Sequence, residues 1–419
     1  SLNGGQVLPT NDANYMGQIR PEWLERWAEL LHSERIAETA RRARAFVEGE
    51  PDHGLWAGST LMAESGAATL RGPENRLNAH MDWHRIQDYH SHIDPLNLVM
   101  STEGYNTVDD LGYHLGHPLR HIISMSTAAH NTVTVDKADA QLHDRGLLHH
   151  AITDGDVQMI DASVPDAYAQ CDEYRRAVVL VGDRYVLDVF GVSGGARHDY
   201  ALLSRSDETE TTLDVDWREG TIADPDTPYE GFTHLPQELG SAAEPYEVMH
   251  DAGFAEGLAS FRVDWAQRDR EDLTTRVHHL SGEGAEVMFA KAPHKDRRRQ
   301  HQVRTDEIMI VRRTGRPGLR STFVSVIETL SEKVGPLASV ERLEVVSEDG
   351  AAVAVAVEHE DGLDVIVRAN SAGPHRVPAH GLTLRGAFAA VRFLSDRRRA
   401  RVTMLAGRLE TPLGDVDGP

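Results

Sequence analysis

The chain has 419 residues, 40% of them hydrophobic, and a net charge of −23 from 43 basic and 66 acidic side chains. That hydrophobic content excludes a disordered chain and is enough for one large core or two to three smaller ones. The acidic balance argues against nucleic acid and anionic membranes, whose phosphates require Lys and Arg.

No apolar run approaches the roughly 20 residues of a membrane span, and the single cysteine, Cys171, excludes an internal disulfide. The sequence opens on Ser-Leu-Asn-Gly-Gly rather than Met, so a leader or a larger upstream region is expected to precede it. The compartment stays open between periplasmic, secreted and cytoplasmic.

In chain order, residues 20 to 48 read as one helix. Pro21 suits a first turn, and Trp23, Trp27, Leu30, Leu31, Ile36, Ala40, Ala43 and Phe46 recur at helical spacing before Gly49, Pro51 and Gly54. Two tryptophans on an amphipathic helix need a partner surface, either the domain that follows or a helical domain lying mostly upstream.

From Leu55 the pattern changes to short strands. LMAESGAATLRG and RLNAHMDWH form a hairpin across Gly72-Pro73-Glu74-Asn75, and RRAVVLV and RYVLDVF form another across Gly182-Asp183. Residues 204 to 270 are more polar, as long loops on a sheet are. Strands resume at LTTRVHHL and continue to the end, with a boundary expected near Lys333-Val-Gly-Pro336. Many short strands with few helices predict a mainly β protein, a large antiparallel β-sandwich of stacked sheets. The expected divisions are 1–55 helical, 56–335 β-sandwich, and 336–419 a C-terminal β-sheet domain or extension.

Chemistry concentrates between residues 88 and 136, which hold His90, His92, Asp94, Asp110, His114, His130 and Asp136. Read as a strand, YHSHIDPLNLVM puts His90, His92 and Asp94 on one face. A second strand, His130 to Asp136, alternates Val133 and Val135 with His130, Thr132 and Thr134. A metal held between the two strands is the working expectation. With 23 histidines in the chain, a His-x-His pair also arises by chance on an exposed surface.

These elements resemble the heparinase II/III-like polysaccharide lyases. ESGAATLRG is similar to the first strand of that family's β-domain, and HSHIDPLNL to its His-x-His-x-Asp strand. DDLGY is similar to its Asp-x-Gly-Tyr element and AAHNTVTVD to its His-Asn-Thr-Val strand. YRRAVVLVGDRYVLDVFGVSGGARHDY and STFVSVIETL look like its later core strands.

The resemblance implies an N-terminal (α/α) toroid ahead of the β-sandwich, of which residues 1–55 resemble only the end, so a toroid domain or companion chain is an expected partner. It also implies β-elimination on a uronate-containing acidic polysaccharide or oligosaccharide of alginate or glycosaminoglycan type. By the same resemblance His92, Asp110 and His130 match the zinc-binding positions, with the Zn²⁺ structural, and Asp109 is the alternative carboxylate. His90 matches the active-site histidine, Tyr113 the tyrosine acid or base with Tyr105 competing, and Arg120 the grip on the substrate carboxylate. Asn131 is expected to hold the local backbone or a ligand histidine from behind the site. A homo-oligomer is left open.

Two other readings stand beside this one. A metal-dependent cupin-like enzyme would use the His-x-His pair with Glu103 and a later histidine. A non-catalytic carbohydrate-binding β-sandwich would have the sheets without the chemistry.

Overall fold

The computed structural model of the chain describes residues 2–3, 6–7, 17–18, 21–47, 58–86, 91–111, 120–213, 215–223, 244–258, 260–280, 284–296, 302–348, 350 and 352–419. Its contacts divide into two compact units, Ser1–Thr329 and Leu330–Pro419.

The N-terminal helical stretch is two helices, Pro21–Leu31 and Glu34–Val47, not one. His32 takes a left-handed φ of 49°, and Ser33 Oγ accepts a hydrogen bond from the Ile36 amide at 3.3 Å. Serine competes with a continuing helix by capping a new one, and that cap lies inside an otherwise unbroken amphipathic pattern. Arg44 clamps the pair by donating to both oxygens of Glu25 at 2.6 and 2.7 Å. Trp23, Trp27 and Leu30 stay 62%, 60% and 70% exposed, so this apolar stripe is not what joins the two helices.

The rest of the first unit is antiparallel sheet. A five-stranded meander runs Thr60–Met62, Ala67–Arg71, Leu77–Asp82, Leu98–Thr102 and Tyr105–Val108. An eight-stranded sheet has at its centre the hairpin Cys171–Val181 and Tyr185–Gly194, with Arg320–Leu330 beside it. A six-stranded sheet carries Ala285–Asp296, Gln302–Thr314, Arg197–Ser204 and, at its edge, Val133–Val135.

Side-chain parity explains how the six-stranded sheet is buried on both faces. Tyr200, Leu202, Met309 and Val311 face the large core shared with the other two sheets. Ala201, Leu203, Ile308 and Ile310 face a second core closed by Leu111, Ile123, Ala128 and Ala129. The segments around Asp110 and His130 are thereby pressed against that second face.

A carboxylate fixes the meander to the central hairpin. Asp183, in the turn between the hairpin strands, accepts hydrogen bonds from the backbone amides of Glu74, Arg76 and Leu77 at 2.7, 2.8 and 2.8 Å. A Cβ on Gly72 would lie 2.0 Å from Asp183 Oδ1, so only glycine lets the carboxylate reach the amides.

The second unit stacks two five-stranded sheets. One contains Val353–His359, Gly362–Arg368 and Phe388–Leu394, the other Leu382–Gly386 and Gly407–Thr411. Val365, Val367, Val391, Leu384 and Leu409 pack between them. Asp364 is buried here, with His359 Nε2 at 3.1 Å and the Arg392 guanidinium at 2.7 and 3.0 Å.

Candidate metal centre

The segment 91–97 is not the strand its alternation suggests; the strand begins at Leu98. Pro95 has no amide to offer a ladder, Leu96 takes a φ of 60°, and the Asn97 amide turns back to the Asp94 carbonyl at 3.0 Å. The loop is pinned from the opposite side: the Ile93 amide donates to Met125 O at 3.1 Å, Thr127 Oγ1 to Ile93 O at 2.6 Å, and Thr132 Oγ1 to Pro95 O at 2.6 Å. His130 follows the short 3₁₀ turn Thr127–Ala129 and is itself extended, with φ −122° and ψ 162°. Asp110 lies two residues beyond the strand Tyr105–Val108.

These three backbone segments bring His92, Asp94, Asp110 and His130 together. One ligand atom from each lies within 4.8 Å of the others, and all four residues are buried. His130 Nδ1 is 2.8 Å from Asp110 Oδ2, and its Nε2 meets the Ser124 carbonyl at 3.1 Å. Burial alone would lower the His130 pKa. The Asp110 carboxylate outweighs it, with Asp94 and the Ser124 carbonyl adding, and the imidazole is pushed up to about 9. Asn97 Nδ2 donates to Asp94 Oδ2 and Asp110 Oδ2, at 3.2 Å each, while its Oδ1 accepts the Asn131 amide at 3.0 Å.

The donor set suits a divalent cation. Two carboxylates in one dry cage are costly to bury without compensating positive charge, which the His130 imidazole beside Asp110 supplies in part and a bound cation would complete. Asp94 Oδ1 is buried and, among the described residues, accepts no hydrogen bond. The His130 Nε2–H given to the Ser124 carbonyl orients the ring as a backbone partner behind a metal-bound histidine does, and Nδ1, which donates to Asp110 in the metal-free chain, is the nitrogen that would face a cation once that proton is released. Two nitrogens and two oxygens are a set of four donors that could hold a metal ion. Asp94, two residues past His92 and on its face by strand parity, joins the three positions named by the family resemblance.

Asn131 lies immediately behind this group. Its Nδ2 donates to Leu98 O at 2.8 Å and Asp109 O at 2.7 Å, and its Oδ1 accepts the Leu203 amide at 2.6 Å. One side chain thereby joins all the ligand-bearing segments to the six-stranded sheet. Asp109 points away from the cage: Asn106 Nδ2 donates to it at 2.9 Å, and Arg205 Nε is 3.5 Å distant. Tyr105 is buried beneath the Arg205 guanidinium, 4.5 Å from the ring centroid, and burial pushes its hydroxyl pKa up. Glu103 pairs with Arg270 at 3.1 Å and is not in the four-residue group.

Of the residues expected to do chemistry, His90 and Tyr113 lie outside the described residues. Arg120 opens a π-helical turn, Arg120–Ser124, and its side chain is likewise outside. An acid–base pair that sequence spacing did not single out sits beside the cage. His84 Nδ1 is 3.3 Å from Asp82 Oδ1. Burial pushes Asp82 up to about 6 against the pull of His84. In His84, burial is outweighed by Asp82, and the imidazole rises to about 9.

Residues 57–218 match the family model described as heparinase II/III-like, C-terminal. A heparinase III crystal structure superposes with a TM-score of 0.62 at 12% identity, over 88% of this chain and 51% of that one. A heparan sulfate lyase from Pedobacter heparinus gives 0.59 at 11% identity, over 85% and 49%. A further heparinase III gene product gives 0.60 at 13% identity, over 88% and 50%. At these identities the likeness is one of fold, and the chain spans about half the length of each of these structures. No curated protein sequence matches it.

Proposed function

We propose that this chain, a member of the heparinase II/III-like family through the domain at residues 57–218, is the β-sandwich portion of a polysaccharide lyase. Its substrate is a uronate-containing acidic polysaccharide or oligosaccharide of alginate or glycosaminoglycan type. The observation that carries the reading is the His92–Asp94–Asp110–His130 cage, which lies within the matched domain, with His90 two residues before it in sequence and Tyr113 three residues after Asp110.

β-Elimination removes the proton at C5 of the uronate, breaks the bond from C4 to the glycosidic oxygen and forms the C4–C5 double bond, with a proton delivered to the leaving oxygen. The C5 proton is weakly acidic, so the site must neutralise the carboxylate, supply a base and supply an acid. Arg120 stays cationic and grips the carboxylate. His90 neutralises the carboxylate or relays the proton, and Tyr113 serves as acid or base. His92, Asp94, Asp110 and His130 hold the zinc, which when bound supplies the positive charge that lets two carboxylates stay buried. Asn97 and Asn131 keep the ligand-bearing loops in register.

The test is formation of ultraviolet-absorbing unsaturated uronate from alginate or glycosaminoglycan chains by the protein together with its upstream region. The wild-type protein is expected to form it and His90→Ala to lose it. A His90→Ala variant as active as wild type refutes the catalytic assignment. Saturable binding with no unsaturated product from any uronate polymer instead supports a carbohydrate-binding sandwich.

A further inference from the structure

The strand Cys171–Val181 turns Tyr174, Val178 and Leu180 into the large apolar core, and by the same alternation Arg176 belongs to that row. It is fully buried. Arg175, its neighbour on the other face, pairs with Asp161 at 2.7 and 3.0 Å. A guanidinium in a row of apolar side chains is expensive to bury, and a well-packed apolar pair in its place is often no less stable. Fold stability therefore does not explain its presence.

Its hydrogen bonds do. Asp188, one strand over, takes the Nε and Nη2 hydrogens at 2.7 and 2.6 Å. Asp188 is itself held by Tyr200 Oη at 2.7 Å, and the guanidinium carbon lies 5.2 Å from the Phe190 ring centroid. The opposite edge of the fork is thus fixed in direction. Nη1 on that edge donates to Leu96 O at 2.8 Å and also to Asn131 O. Leu96 is two residues past Asp94 and in the left-handed region that leucine seldom adopts. Asn131 adjoins His130. One nitrogen therefore bridges the two loops that carry His92, Asp94 and His130, from the side facing the eight-stranded sheet.

We propose that Arg176, oriented by Asp188, is a positioning residue of the metal centre, holding the 92–97 loop and the His130 segment at the separation the cation requires. The inference rests on the metal reading above. Arg176 touches neither cation nor substrate and acts only through the two carbonyls. A lysine keeps the charge opposite Asp188 but cannot extend a second, fixed edge to both oxygens.

The test uses the whole chain, stripped with chelator and titrated with Zn²⁺ or Co²⁺, in wild type, Arg176→Lys and the uncharged double variant Arg176→Met/Asp188→Leu. Arg176→Lys alone carries the comparison if the double variant fails to fold. Melting of the stripped proteins reports the fold, while chelator competition and the cobalt ligand-field spectrum report the cage. Outer partners of metal ligands typically change affinity about 10- to 100-fold. The expected result is a loss of that size with an altered cobalt spectrum, in variants whose metal-free melting stays near wild type. Wild-type affinity and spectrum in a folded variant overturn the inference. A wild-type chain that binds neither ion fails the metal reading itself, and this inference falls with it.

Discussion

Replacing Asp110 by asparagine separates the two things its carboxylate does. In the metal-free chain it is half of a fully buried pair with His130, 2.8 Å apart. Removing one partner of such a pair costs about 3–5 kcal/mol, and because asparagine retains an acceptor of the same shape the expected loss is about 3 kcal/mol. In a metal-bound chain it would be one of the four proposed ligands. Zinc at about 100 times the wild-type Kd stabilises the protein by about 2.7 kcal/mol, and if the substitution weakens binding about 100-fold the same zinc contributes only about 0.4 kcal/mol. At about 2 °C per kcal/mol for a large unit, wild type should melt about 5 °C higher with zinc than with chelator, and Asp110→Asn about 1 °C higher. Thermal denaturation by circular dichroism with and without zinc reads both quantities. An equal zinc-dependent shift in variant and wild type would refute the ligand assignment.

Gly72→Ala should displace Asp183 and break three hydrogen bonds to its carboxylate, lowering stability in urea by about 3 kcal/mol. Asp183→Ala should cost a similar amount and the double variant little more, whereas strict additivity would mean that the two residues do not share one interaction. Asn131→Ala orphans Leu98 O, Asp109 O and the Leu203 amide, so hydrogen exchange at Leu203 should accelerate; unchanged protection there would dismiss the side chain as the link between loops and sheet. In the second unit, burial would raise the Asp364 pKa, but His359 and Arg392 outweigh it and bring it down to about 2. A depressed carboxylate stabilises the fold above its ordinary pKa near 4 and loses that contribution, about 2 kcal/mol, as pH falls toward 2. Exchange in residues 353–368 should therefore rise across that window in wild type and lose the step in Asp364→Asn.

The sheets were legible because strand periodicity and turn chemistry are local. The hairpin across Gly182-Asp183 and the one across Gly72 to Asn75 follow from alternation and turn residues alone. The apolar spacing predicts one helix where there are two because the capping signal at Ser33 is a single residue inside a continuous apolar stripe. The metal segment was legible by composition but not by geometry. Alternation suggested a strand through His92 and Asp94, while Pro95 and the left-handed Leu96 make it a pinned loop. Strand parity does place Asp94 beside His92; the family resemblance, which names only His92, Asp110 and His130, leaves it out of the ligand set, and the pinned loop brings it into the four-residue group. The contacts of Asn97 with Asp110 and Asn131, and of Arg176 with Leu96 and Asn131, join distant segments, which no spacing rule contains.

Whether the four buried residues hold a metal is read directly by an anomalous difference map at the zinc absorption edge from crystals of the zinc-loaded chain. A single strong peak is expected about 2.0–2.2 Å from one nitrogen each of His92 and His130 and one oxygen each of Asp94 and Asp110. A map with no peak among these four residues, and with His130 Nδ1 still hydrogen-bonded directly to Asp110, would contradict the ligand assignment.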